Sequence, residues 1–168
     1  MANIIREHKI IDNQKRALIK YVFIYVDTAQ ANTVLIDVSN LAFALNANGK
    51  IMSSNVHQRA TYKTKIKRIF GSSKSTGYVK LQWHGDSNSE IVTFNTGSFD
   101  YNFESMGDVA TIGNPEANST GDILFSTSGA ASGDVFTLFV DIRKDNQDYD
   151  AGQSADPVAF NQGPGLFR

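Results

Sequence analysis

Hydrophobic and polar positions alternate with a period of two along most of this chain, in short runs separated by Gly, Asn and Ser, which predicts β-strands joined by turns. Gly121 to Lys144, GDILFSTSGAASGDVFTLFVDIRK, shows the pattern most fully. Phe136, Leu138, Val140 and Ile142 fall on one face, and Thr137, Asp141 and Arg143 on the other. With Ile123 to Ser128 as a first arm and the small residues of Gly129 to Asp134 as the reversal, this stretch predicts a β-hairpin.

Other segments follow suit. Lys9 to Asp12 reads as a short strand that feeds a long one, Arg16 to Asp27, through a turn at Asn13 and Gln14; the long strand is apolar on both faces, as a central position requires. Val34, Ile36 and Val38 alternate with Asp37. Leu41 to Leu45 fits a helical turn or a strand, and Asn46 to Lys50 carries an Asn-Gly turn signal. In Tyr62 to Phe70, Tyr62, Thr64, Ile66 and Phe70 share one side, opposite Lys63, Lys65, Lys67 and Ile69. Strand lysines discourage unwanted pairing, so this is expected to be an edge or solvent-facing strand. Val79, Leu81 and Trp83 point inward and Lys80, Gln82 and His84 outward; with Ile91 to Phe94 they predict a second hairpin. Phe99, Tyr101 and Phe103 fit one further strand.

Periodicity ends at Asp145. Gly152, Pro157, Gly163, Pro164 and Gly165 argue against helix and strand in 145–168, while Tyr149, Phe160, Leu166 and Phe167 offer apolar anchors. The expectation is one all-β domain over 1–144, a jelly-roll-like sandwich of about seven to nine strands, followed over 145–168 by a frayed or locally packed tail or, in the functional reading, an extended C-terminal arm that docks on a neighbouring subunit.

Net charge is −1, but the total hides a division. Residues 1 to 80 hold 13 Lys or Arg against 4 acids, and residues 81 to 168 hold 3 against 13. Strands of the two halves could interleave and cancel, or the molecule could have a basic and an acidic side suited to oriented assembly.

With no Cys, disulfides and thiolate chemistry are excluded. His8, His57 and His84 stand in unrelated segments without metal-ligand spacing, and are read as exposed and unpaired. No carboxylate pair, phosphate loop or nucleophile elbow stands out, so no catalytic residue, cofactor or metal is expected. Arg6, Glu7, His8 and Lys9 lack the order of a secretory signal. Leu18 to Val26 is far shorter than the roughly 20 residues of a membrane span. His57 to Lys74 combines cations with Tyr62 and Phe70, a composition that nucleic acid could use but a solvated strand face explains as well. Tyr78, Trp83 and Tyr101 could form a sugar platform, although Trp83 alternates onto the apolar face.

The stretch GDILFSTSGAASGDVFTLFVDIRK, preceded by YVKLQWHG and GNPEANSTGD, resembles a pattern in small virion structural proteins of tailed phages, particularly those of aquatic bacteria. The resemblance covers Tyr62 to Lys144. It implies a β-sandwich without an active site that adds to a capsid exterior, a neck or a tail, assembled in the host cytoplasm. A capsid decoration or cement protein is the first expectation; a neck, tail or fibre component and a carbohydrate-binding sandwich are the alternatives. Its partners would be other virion proteins, such as the major capsid protein, and further copies of itself, with no membrane and with nucleic acid disfavoured. Arg6, Lys9, Lys15, Arg16, Lys63, Lys65, Lys67 and Arg68 would then face acidic neighbours, and the arm with Tyr149, Phe160, Leu166 and Phe167 would clasp an adjacent subunit.

Overall fold

The computed structural model describes residues 3–27, 29–52, 58–104, 112–113 and 119–149. Two antiparallel sheets face each other. In the larger one, β1 (Ile4–Asp12), β2 (Arg16–Ile24), β10 (Val135–Lys144), β4 (Thr64–Lys74) and β7 (Gly97–Asn102) lie side by side, and the short β8 (Ile112–Gly113) also pairs with β4. The smaller one runs β3 (Thr33–Ile36), β9 (Ile123–Ser128), β5 (Tyr78–Trp83) and β6 (Ser89–Phe94). A 3-10 turn at Val38–Asn40 is capped by Asp37, whose carboxylate accepts the Ser39 N–H at 3.0 Å.

The pairing has a simple order. β2, β3, β4 and β5 pair in turn with β10, β9, β7 and β6, so the chain is one antiparallel ribbon doubled at the β5–β6 hairpin and rolled into two layers. This topology gives the charge division a physical reason. The limb through β5 carries the basic half and the returning limb the acidic half, so doubling brings opposite charges together. Arg16–Asp141, Arg59–Asp148, Lys67–Glu104 and Arg68–Asp100 each join a cation of the first half to an acid of the second.

The core lies between the sheets. Ile19, Tyr21 and Phe23 from β2, Leu138 and Val140 from β10, and Ile66 and Ile69 from β4 meet Val79, Leu81 and Trp83 from β5 and Ile123 and Phe125 from β9. Burying a side chain of this kind stabilises by roughly 1.5–3 kcal/mol. β2 is central as expected, the β5–β6 hairpin forms, and Trp83 is core, 1% exposed.

Three expectations are corrected. Gly121 to Lys144 is not a hairpin: β9 pairs with β3 and β5 in one sheet, and β10 with β2 and β4 in the other. The link 129–134 crosses between layers, which lie roughly 10 Å apart in sandwiches of this kind, a distance well within reach of six residues. Alternation is the same for a hairpin arm and for an arm that changes sheets, so the wider pairing decides. The β4–β5 link crosses alongside it, and the Asp134 carboxylate ties the two together. It accepts the N–H groups of Ala131 (2.8 Å) and Thr76 (3.0 Å) and the Ser75 hydroxyl (3.0 Å), and these bonds, the Ala131 amide first, hold its pKa below the usual carboxylate range.

The second correction concerns β4, which is an interior strand with a solvent-facing side, not an edge. Its register shifts where Asp141 opposes Arg68 and Ile142 opposes Ile66, leaving Lys67 as an extra, bulged residue. Beyond the bulge the alternation inverts, so Ile69 enters the core at 0% exposure and Phe70 faces outward. The third concerns Tyr149, which is no arm anchor. It is fully buried, donates its hydroxyl to the Val38 carbonyl at 2.9 Å, and lies 5.7 Å from the Tyr62 ring. Phe160, Leu166 and Phe167 lie outside the described residues.

Candidate functional site

The outer face of the larger sheet is the part of the described surface with the most distinctive chemistry. Opposite the core-facing residues, β2 presents Leu18, Lys20, Val22 and Ile24, all half-buried, with no described element laid over them. Alternation places Val135, Thr137, Phe139 and Asp141 on the same side of β10. Cross-strand register then builds a row through the middle of the face: His8, Lys20, Phe139, Phe70 and Asp100 stand side by side on five successive strands.

Within that row the Phe70 and Phe139 rings stack, with centroids 4.7 Å apart and planes 4° from parallel. Lys20 Nζ sits 5.6 Å from the Phe139 centroid and the Arg68 guanidinium 4.7 Å from that of Phe70, both within cation–π reach. A bidentate pair runs diagonally between β2 and β10 beside that row: Arg16 donates from Nε and Nη2 to the two Asp141 oxygens, each at 2.7 Å. That hydrogen bonding raises the Arg16 pKa. Arg68 forks onto Asp100 at 2.8 and 2.5 Å and lowers the Asp100 pKa through those bonds.

Arg6, Lys20, Lys65, Lys74 and Arg143 share this face and have no carboxylate within ion-pair distance among the described residues. The face is therefore apolar and aromatic along its middle and cationic in excess around it, after Asp100 and Asp141 have each taken one arginine.

The candidate cations divide accordingly. Arg6, Arg16, Lys65 and Arg68 come together on the outer face. Lys67, at the bulge, is held by Glu104 at 2.8 Å. Lys9 points to the other side of β1, donating to the Asn40 carbonyl at 3.0 Å, and Lys15 lies in the β1–β2 turn. Lys63 precedes β4 and is exposed. Sequence reading missed Lys20, Lys74, Phe139 and Arg143 as members of the face. Phe139 left a usable signal, since it is a large aromatic on the polar side of a strand that alternates cleanly.

His84 is not unpaired: its Nδ1 lies 3.2 Å from the Thr120 hydroxyl and 3.8 Å from Asp122. Among the described residues no group of three or more His, Cys, Asp and Glu is placed to hold a metal ion.

No family model matches the chain, and neither a curated protein nor a solved structure does. The surface must therefore be read from its own chemistry.

Proposed function

We propose that the chain is a non-enzymatic phage virion structural protein, a capsid decoration or cement protein that lies on the shell with the outer face of its larger sheet. The observation that carries this reading is that face itself: five strands wide, half-buried Leu18, Val22 and Ile24 beside the Phe70–Phe139 stack, and a surplus of cations. Such a patch suits a large, flat, acidic protein surface, with apolar burial supplying affinity and charge supplying orientation and encounter rate. Two further features support it. The doubled ribbon, β2-β10-β4-β7 against β3-β9-β5-β6, favours a jelly-roll reading of the sandwich, an architecture used in capsid domains. The resemblance over Tyr62 to Lys144 points to the same class.

A protein partner also accounts for the aromatic row better than nucleic acid does. Base stacking needs a free ring face. Here the two rings are stacked on each other and each already has a cation over it, 5.6 Å from the Phe139 centroid and 4.7 Å from that of Phe70.

The test is the chain's copy number in purified particles, by quantitative mass spectrometry against the major shell protein. A number comparable with the shell protein supports decoration. A ring-sized number moves the chain to the neck, tail or fibres, and absence from the particles overturns the reading.

A further inference from the structure

A second surface lies at the β7 edge of the sandwich, where the chain leaves β6 and turns into β7. It is an open cleft of roughly 390 Å³, within the size range of small-molecule sites. Tyr78, 45% exposed, forms one wall, and Tyr101, 36% exposed, belongs to the other. Tyr101 continues an aromatic run that starts in the core: Phe94 stacks on Phe99 at 4.2 Å, and Phe99 lies 6.1 Å from Tyr101. Asn95, Thr96 and Ser98 line the cleft between these walls. Thr96 donates its hydroxyl to the Ser75 carbonyl, while the side chains of Asn95 and Ser98 make no hydrogen bond among the described residues. Gly97, at φ 120, leaves open space where a side chain would stand.

The chemistry of this lining is selective. Among the described residues no charged side chain lines the cleft, in a chain that is 20% charged, so these residues offer no charge to a phosphate, a carboxylate or a cation. It offers aromatic surface on two sides and neutral donors and acceptors between them. That combination suits a ligand with apolar C–H faces and a rim of hydroxyls.

We infer that this cleft binds a neutral oligosaccharide or polysaccharide chain, with Tyr78 and Tyr101 stacking on sugar rings and Asn95 and Ser98 hydrogen-bonding hydroxyls. The inference does not depend on the shell-docking reading, because Tyr78 and Tyr101 are not members of the outer face, although Ser98 alternates onto the same side of β7 as Asp100 at its border. Trp83 takes no part, since it is buried, so its fluorescence serves as a monitor of folding only.

The test titrates the isotope-labelled full chain with maltohexaose, cellohexaose, chitohexaose and mannohexaose to about 10 mM, enough to see a millimolar Kd, and follows backbone amide shifts. The expected result is that at least one of these moves the amides of Tyr78, Gly97, Ser98 and Tyr101. Tyr78→Ala and Tyr101→Ala should each weaken binding about tenfold, the equivalent of about 1.4 kcal/mol, with Trp83 emission unchanged. Silence across all four sugars overturns the inference. So does binding that both variants leave intact, or shifts confined to the amides of Lys20 and Lys74 on the cationic face.

Discussion

Phe139 on β10 stacks on Phe70 of β4 on the outside of the sandwich, with ring centroids 4.7 Å apart and planes 4° from parallel. Phe70 reaches that position only because the Lys67 bulge inverts the alternation of β4. The stack and its two flanking cations are expected to act as a unit. A double-mutant cycle on Phe70→Ala and Phe139→Ala, read by chemical denaturation, should give a coupling of about 0.5–1.5 kcal/mol. Additive effects would show that the rings are merely adjacent.

Charge reversal on the face separates electrostatic from apolar docking. Lys20→Glu, Lys65→Glu and Lys74→Glu together should slow association with particles and leave the fold intact, since none of the three has an ion-pair partner among the described residues. Raising salt should weaken wild-type binding as the Debye length falls from about 8 Å at physiological strength to about 3 Å at 1 M. Binding that survives 1 M salt undiminished would mean that Leu18, Val22, Ile24 and the aromatic pair dominate.

Lys144 and Asp12 join the end of the last strand to the end of the first. The Lys144 side chain is fully buried, and its ammonium donates to Asp12 at 2.5 Å, the Asn13 carbonyl at 2.7 Å and the Ala42 carbonyl at 2.8 Å. Burial lowers the Lys144 pKa, and Asp12 works against that shift. With all three donors used, the group is read as a structural ion pair and not as a nucleophile. Lys144→Met should therefore cost about 1–3 kcal/mol in urea denaturation, because it takes the buried ammonium from Asp12 and from the Asn13 and Ala42 carbonyls, leaving Asp12 with Lys9 at 3.6 Å and the Ala42 N–H at 3.0 Å. A loss below about 1 kcal/mol, the scale of surface pairs, would contradict this.

Asp134 makes the layer crossing pH-sensitive. Its pKa is depressed in the fold, so its contribution is fully present above the unfolded value of about 3.9 and is lost as pH falls through the lower folded value. Asp134→Ala should lower the thermal midpoint at neutral pH, and the gap between variant and wild type should close as pH falls below about 4. A gap that is constant down to pH 2 would mean that the carboxylate's charge plays no part.

Where the two crossings touch, Gly77 leaves no room for a side chain: a Cβ there would overlap the Ser128 carbonyl oxygen and the Gly129 backbone. Backbone cannot step aside as a flexible side chain can. Gly77→Ala is expected to cost about 1–3 kcal/mol, whereas Gly133→Ala, where nothing lies within 4 Å, should show only the smaller strain of its φ of 92°.

The amino-acid sequence by itself determined that this is an all-β chain, that β2 is central, that β5 and β6 form a hairpin, and that Val79, Leu81, Trp83, Phe136, Leu138, Val140 and Ile142 face inward. Period-two alternation is a local property, and burial on one face of a strand is enough to write it. It also wrote the charge division, whose meaning became clear only when the limbs were seen to double back. The tertiary structure alone decided that β9 and β10 part into different sheets, that a bulge at Lys67 sends Phe70 outward, and that Tyr149 closes the core beneath Val38. Each of these depends on which strand lies beside which. Alternation records that a strand has a buried face without naming the neighbour that buries it, and the neighbours here are chosen by pairings such as Ala17 with Ile142, far apart in the chain.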